Sequence, residues 1–334
     1  MIRSPVPNLS SVEPGAAPPT AVSDGRPLGE PKPRPWLTLA VAATCVVIFA
    51  NVGLQDGPPT WDLLSRWGAP PAQRIWSGAY WGLVSSALVH VAPWHLLFNL
   101  YWLWILGGTL ERSIGPLRWA LFFVGAAIVS SSAQLALSDS SGIGLSGVLY
   151  SFFGFMWVRR GAEPAFSKVV SSQTALLFVA WLVGCIVATA LGLWKVGNAA
   201  HVGGLALGLT VGWAANEKSN WALPKFVVAA LLFAAIGSVF WAPWSFRWLA
   251  AKGYEAHAKG NYRSAVDWYL RSRRFNRETI WVMQNLALAY NGLGDASAFA
   301  ATMKELRQLS PSAADLVEQE LAQTAPKAAE RSAE

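Results

Sequence analysis

The chain has 334 residues, of which 53% are hydrophobic and only 13% charged, the balance of a protein that lives largely in a bilayer. Its net charge of +7 falls mostly between apolar runs, which points to orientation in a membrane and away from nucleic acid. The two cysteines, Cys45 and Cys185, lie inside apolar runs without ligand spacing; buried thiols are expected rather than a disulfide, and no metal or cofactor.

Residues 1–35 are rich in Pro, Gly and Ser and read as a disordered cytoplasmic tail. The first apolar stretch begins only at Trp36, so no cleavable signal peptide is expected. The fold expected is all-α: a membrane core over 36–220 with spans at 36–54, 93–110, 119–137, 146–158, 174–194 and 199–215. A seventh crossing at 226–242 lies within 221–246. A long loop over 55–82, with Pro58-Pro59, Pro70-Pro71 and several tryptophans, is expected to pack on the membrane surface.

Lys and Arg set the orientation. One side holds eleven: Arg3, Arg26, Lys32, Arg34, Arg112, Arg118, Arg159, Arg160, Lys168, Lys218 and Lys225. The other holds three, Arg66, Arg74 and Lys195, so the amino terminus is expected in the cytoplasm. Seven crossings then leave everything after Trp241 outside, with Trp241, Trp244 and Trp248 as an interfacial belt. Residues 247–323 read as a soluble helical domain. Gly260-Asn261-Tyr262 with Ala265 and Tyr269 is echoed by Tyr290, Gly294-Asp295 and Pro311. The two glycines are 34 residues apart, the tetratricopeptide period. Arg277 and Phe299 depart from that signature, and a generic helical hairpin domain is the alternative. A capping helix is expected at about 312–323, and a disordered tail over 324–334.

The chemistry gathers around Gly144-Leu145-Ser146-Gly147, which opens an apolar segment ending at Arg159-Arg160. That segment is too short to span. At ~1.5 Å per residue it lifts Ser146 ~20 Å above the arginines, about 10 Å short of the far face of a ~30 Å hydrocarbon core. A serine at that depth, reached through Asp139-Ser140-Ser141-Gly142, needs a protein-lined wet cavity. The same ruler puts His201 ~22 Å above Asn216, and His95 and Asn99 ~24 and ~18 Å above Glu111. Three segments thus bring polar side chains to one level, and such residues inside a membrane are functional candidates.

His95, Asn99 and Trp102 share a helical face. His201 tops a stripe of Gly204, Gly208 and Gly212, which lets another helix approach closely, and the face of Ser146, Tyr150 and Gly154 is the expected partner. Packed so, Ser146 and His201 come within hydrogen-bond reach, as a nucleophile and its general base require. No Asp or Glu lies in any span near that level, which excludes an aspartyl protease or a carboxylate-oriented triad, and no His-Glu-x-x-His is present. A Ser–His dyad remains, with Asn99, His95 and backbone N–H groups near Ser146 as donors to an oxyanion. Glu111-Arg112 reads as an interfacial ion pair, His257 as a surface residue, and His90 as another histidine beside a span.

At these residues the chain resembles the rhomboid family of intramembrane serine proteases. The resemblance runs from about Trp81 to Asn216. It rests on His90-x4-His95-x3-Asn99, Glu111-Arg112-x-x-Gly115, Gly144-Leu145-Ser146-Gly147 with Tyr150, and Ala200-His201-x-x-Gly204-x3-Gly208. It implies Ser146 as nucleophile and His201 as base, with His95, Asn99 and the Ser146 amide in the oxyanion hole. It also implies Tyr150 stacked on His201, and structural roles for Glu111 and Arg112. Many members carry Trp-Arg in the first loop where this chain has Trp81-Gly82, which bears on that loop's stability. The seventh span resembles the "6+1" subgroup of bacterial rhomboids.

The activity expected is cleavage of peptide bonds in or near transmembrane segments of membrane proteins, in a bacterial inner membrane, with Gly144, Gly204 and Gly208 shaping the site. Further partners expected are the lipid bilayer and a protein or peptide held by the tetratricopeptide-like domain; nucleic acid is not. Two other readings are a catalytically silent membrane-segment binder working through that domain, and a small-solute transporter. The second usually shows an internal repeat across the membrane region, and none is visible.

Overall fold

The computed structural model describes residues 33–55, 57–138, 142–215, 222–275 and 280–331, with side chains to residue 323. Most of the amino-terminal tail, the loop residues 139–141, Asn216, Lys218 and Arg277 lie outside the described residues.

Helix α1 spans Trp36–Gly53; three short helices follow in the first loop, α2 Trp61–Arg66, α3 Ala72–Trp76 and α4 Gly82–Ser85. Helix α5, Pro93–Trp102, passes through a wide π turn at Leu103–Gly107 into α6, Gly108–Ile114. The Gly107 carbonyl at the end of that turn accepts from Trp119 Nε1 at 3.0 Å. Gly115, at φ +83°, ends α6, and Pro116 starts α7, Pro116–Ser138. Then come α8 Ser146–Arg159, α9 Pro164–Val169, α10 Ser172–Ala190, α11 Asn198–Ala214 and α12 Ala222–Phe240.

Among the described residues four helices are long and apolar enough to cross a membrane by themselves: α1, α7, α10 and α12. Gly82–Leu88 with Pro93–Ile114, bent by 100°, can supply a fifth as a broken or re-entrant element. Helices α8 and α11, at 14 and 17 residues, are shorter than a span. Every residue of α8 from Gly147 to Met156 is buried, so α8 is the central rod. Helices α1, α10 and α12 leave many of their apolar side chains uncovered, among them Val47, Leu176 and Phe233, the kind of surface a membrane-spanning helix presents to lipid.

Close packing of α8 on α11 follows from glycine. A Cβ on Gly204 would strike the Gly147 carbonyl, one on Gly208 the Ser151 carbonyl, and one on Gly212 would sit 3.0 Å from the Phe155 carbonyl. From the other side, a Cβ on Gly154 would lie 2.9 Å from the Leu205 carbonyl. Ser151 Oγ donates to the Gly204 carbonyl at 2.6 Å. The α8 face against the stripe is thus Gly147, Ser151 and Phe155 with Gly154. Ser146 and Tyr150 flank that face instead of forming it: the stripe meets the backbone of Gly147, Ser151 and Phe155, and the Phe155 ring turns away to Phe122 and Phe166.

Glu111 is not an ion-pair partner of Arg112 among the described residues. Buried, it accepts from Leu37 N at 2.9 Å, Thr38 N at 2.8 Å and Thr38 Oγ1 at 2.7 Å. It therefore caps α1, whose own N-cap, Pro35, offers no side chain for the task. Gly82 also has a local reason: a Cβ there would run into the Pro70 ring and lie 3.2 Å from Ile75 Cγ1. Cys45 and Cys185 are free and buried.

After α12 come α13 Phe246–Ala258, α14 Tyr262–Arg273, α15 Ile280–Leu293, α16 Ala296–Leu309 and α17 Pro311–Arg331, which runs further than the helix expected over 312–323. Gly260 (φ +74°) and Gly294 (φ +73°) turn the chain, and the next residues, Asn261 and Asp295, cap α14 and α16 through Ser264 N and Ala298 N. Trp248 is only 4% exposed and so does not belong to an interfacial belt. With Leu249 it fills a cluster with Ile75 and Trp76 of α3, Leu83 of α4, Leu135 of α7 and Val239 of α12. His257 is half-buried against Tyr262 and Tyr269, with ring centroids at 5.4 and 6.4 Å, because α14 folds back over it.

Candidate active site

Ser146 opens α8 and His201 lies in the first turns of α11, so the glycine-mediated contact between these helices sets their separation. His201 Nε2 lies 2.8 Å from Ser146 Oγ. His201 is buried, and its Nδ1 has no hydrogen-bond partner among the described residues. The imidazole is held by packing: the Tyr150 ring lies against it at 4.8 Å between centroids and 33° between planes. Tyr150 is fixed in turn by its hydroxyl, which donates to the Phe178 carbonyl of α10 at 2.9 Å. A neutral imidazole with its proton on Nδ1 would leave Nε2 free to accept the serine hydroxyl proton.

The turn before Ser146 needs glycine twice over. Gly144 adopts φ +95°, and a Cβ there would lie 2.5 Å from His95 Cε1 and 2.8 Å from His95 Nε2. The Gly144 N–H donates to the Ser86 carbonyl at 3.1 Å. His90 is fully buried behind this turn, with Nε2 3.5 Å from Leu145 N, and its ring lies 5.0 Å from that of His95.

Ser146, His201, His95, Asn99, Tyr150 and Gly144 all line one cavity of about 420 Å³. Trp102 lines it too, as the face shared with His95 and Asn99 requires. Gly204 and Gly208 shape it indirectly, through the helix contact. Buried Asn99 uses one hydrogen of Nδ2 on the His95 carbonyl at 2.9 Å, which leaves a second N–H on the same nitrogen.

The opposite wall comes from α7 and had not been anticipated. Ser130, Ser131 and Gln134 face the cavity. Gln134 Oε1 accepts from Ala200 N at 3.1 Å, in the opening turn of α11. Ser130 Oγ is buried without a hydrogen-bond partner among the described residues. The signal was visible as Ser130-Ser131-Ser132-Ala133-Gln134, a polar run inside an apolar span. Aromatic pairs close the side between α5 and the α10–α11 region: Phe98 on Trp181 at 5.1 Å and Trp94 on Trp194 at 5.9 Å. Lys195 is the one charged residue lining the cavity among the described residues.

The family model for the rhomboid domain matches residues 77–218, which contain every one of these side chains. The chain is 33% identical over 185 residues to the rhomboid protease GlpG of Serratia proteamaculans, covering 55% of this chain and 64% of that one. It is 33% identical over 187 residues to the GlpG of Pectobacterium atrosepticum, again covering 64% of the relative. Against the GlpG of Haemophilus influenzae it is 31% identical over 179 residues, 53% of this chain and 89% of that protein. The chain thus spans less than two thirds of the first two relatives, and its helices after α12 lie beyond the family match.

Proposed function

This chain belongs to the rhomboid family, and on that premise we propose that it is an intramembrane serine protease cleaving peptide bonds in or near the transmembrane segments of membrane proteins. The observation that carries the proposal is the 2.8 Å approach of His201 Nε2 to Ser146 Oγ inside a cavity walled by apolar helices.

In this reading Ser146 Oγ attacks the scissile carbonyl carbon while His201 Nε2 takes the hydroxyl proton. The tetrahedral oxyanion accepts hydrogen bonds from the Ser146 N–H, the second N–H of Asn99 Nδ2 and the His95 ring. His201 then gives its proton to the departing nitrogen, the C–N bond breaks, and an acyl ester remains on Ser146. A water molecule attacks that ester, His201 takes its proton, and the carboxylic acid leaves as the proton returns to Ser146. The hydroxyls of Ser130 and Ser131 and the Gln134 amide make a polar wall fit to hold that water. A dyad without a carboxylate depends on packing to orient its histidine, the task assigned here to Tyr150. Substrate helices must unwind to present a bond to Ser146, so small or helix-breaking residues are expected at the cleaved site.

The membrane is proposed to be a bacterial inner membrane traversed by seven segments, five of full length and the shorter α8 and α11 packed among them, with the amino terminus in the cytoplasm and α13–α17 outside. The distribution of Lys and Arg supports this orientation. We read α13–α17 as two degenerate tetratricopeptide repeats and a capping helix that hold a protein or peptide partner. The glycine turns 34 residues apart support that reading.

The test is labelling of the purified protein by a fluorophosphonate serine probe, with cleavage of a model transmembrane substrate beside it. Wild type is expected to label and to cleave. Ser146→Ala is expected to do neither, and His201→Ala to lose at least 100-fold, in line with typical general-base contributions of ~10²–10⁴. A folded wild type that neither labels nor cleaves would favour the silent binder.

A further inference from the structure

We propose that the end of the α13–α14 hairpin nearest the bundle is a seat for anionic phospholipid headgroups, on the surface of the bilayer that α7 and α12 cross. The inference rests on reading those two helices as spans, and on nothing about catalysis.

Position comes first. Trp244 Nε1 donates to the Ala136 carbonyl in the last turn of α7 at 2.9 Å. Trp268 of α14 packs on the cluster that joins Trp248 and Leu249 to Leu135 and Val239, near the ends of α7 and α12. Ser272 Oγ donates to the Phe246 carbonyl at 2.8 Å, which ties the last turn of α14 to the start of α13. This end of the hairpin therefore sits where two apolar spans stop, the level at which hydrocarbon gives way to headgroups.

Charge comes second. Residues 246–275 carry seven Lys and Arg against Glu255 and Asp267, whereas residues 280–331 carry four against six acids. Away from this end, Lys252 and Lys259 pair with Glu255 and Arg307 with Glu318, while Arg263 and Lys304 are exposed without ion pairs among the described residues and stand on different helices. Arg273 is drawn inward to Glu305. Arg247, Arg271 and Arg274 are exposed and make no ion pair among the described residues. All three sit in the first turn of α13 or at the end of α14, beside Phe246 and Ser272. Arg271 lies over the Trp268 ring at 5.0 Å and Arg247 over Phe246 at 5.6 Å. A guanidinium backed by a ring keeps its N–H edges for a phosphate, which it can grip with two parallel bonds.

Exposed aromatics come third. Trp241, Trp244 and Phe275 are 65%, 46% and 58% exposed at this same end. An acidic peptide would answer the arginines, but it gives no reason for large rings uncovered at the level where spans emerge. A bilayer surface answers both, since indole settles among headgroups and anionic phosphates neutralise arginine.

The experiment uses the full-length protein in native mass spectrometry, titrated with phosphatidylglycerol or phosphatidylcholine. Wild type is expected to retain phosphatidylglycerol preferentially, and Arg247→Gln with Arg271→Gln and Arg274→Gln to lose roughly 100-fold of that affinity. The pair Lys259→Gln and Arg263→Gln, at the far end of the hairpin, should change it little. Equal retention of the two lipids by wild type, or unchanged retention in the triple variant, overturns the proposal. Should the triple variant fail to fold, ionic strength decides on wild type alone. Retention of phosphatidylglycerol must fall as salt rises while that of phosphatidylcholine does not, and a flat response overturns the proposal. None of these readouts depends on proteolysis.

Discussion

Glycine works in opposite ways in the α8–α11 contact and in the helices after α12. Between α8 and α11 it brings backbone onto backbone: Gly204 faces the Gly147 carbonyl and Gly208 the Ser151 carbonyl, with no side chain between. Beyond α12 it makes room for rings. A Cβ on Gly253 would lie 2.5 Å from Tyr269 Cε1, and one on Gly292 2.7 Å from Tyr262 Cε1. With α8 and α11 inside a bilayer and α13–α17 in water, as proposed above, the solvents account for the difference. In lipid no hydrophobic gain rewards burying a ring, so helices associate through close van der Waals contact and hydrogen bonds such as Ser151 to Gly204. In water the ring itself drives association, and glycine gives it a seat.

This contrast can be broken by substitution. Gly204→Val should cost more than ~4 kcal/mol and abolish probe labelling, because the clash is with a carbonyl that no other side chain can vacate. Gly253→Ala should cost ~1–3 kcal/mol, and Tyr269→Leu in the same chain should recover part of that loss. Thermal unfolding followed by circular dichroism, with labelling beside it, checks both. A Gly204→Val protein that still labels would show that the α8–α11 contact does not set the dyad.

Carboxylates give a milder version. Glu111 caps α1 from inside the bundle, so Glu111→Gln should cost ~1.5–3 kcal/mol by removing a charged acceptor from three hydrogen bonds. Glu255 is 41% exposed and pairs with Lys252 and Lys259, so Glu255→Gln should change stability by less than ~1 kcal/mol. The hydrogen bonds from Lys259 and Lys252 lower the Glu255 carboxyl from 4.5 to about 2. A pKa lowered in the folded state gives a stabilisation present above pH 4.5 and lost as pH falls towards 2. Acid titration of unfolding should therefore show a slightly shallower loss in Glu255→Gln over that window.

Much of the bundle was legible because the rules it obeys are one-dimensional. Apolar length marked α1, α7, α10 and α12 to within a few residues, and Ser146 to Arg159 was readable as too short. The level shared by Ser146, His201, His95 and Asn99 follows from counting residues along helices of fixed rise, and all four line one cavity. Glu111 was less legible. A charged residue beside Arg112 at a helix end suggests a neighbouring pair, and nothing along the chain says that the amino terminus of α1 lies across from it.

What the sequence determined by itself is therefore composition, apolar length, height along each helix and helical face, since each depends on local geometry and on residue type. The tertiary structure alone decided which faces meet. It turned Gly147 and Ser151, not Ser146 and Tyr150, onto the glycine stripe, added the Ser130 and Gln134 wall, and took Trp248 out of the interface into a cluster with Ile75 and Trp76. Those choices depend on close packing between segments far apart in the chain, where a single Cβ decides what fits.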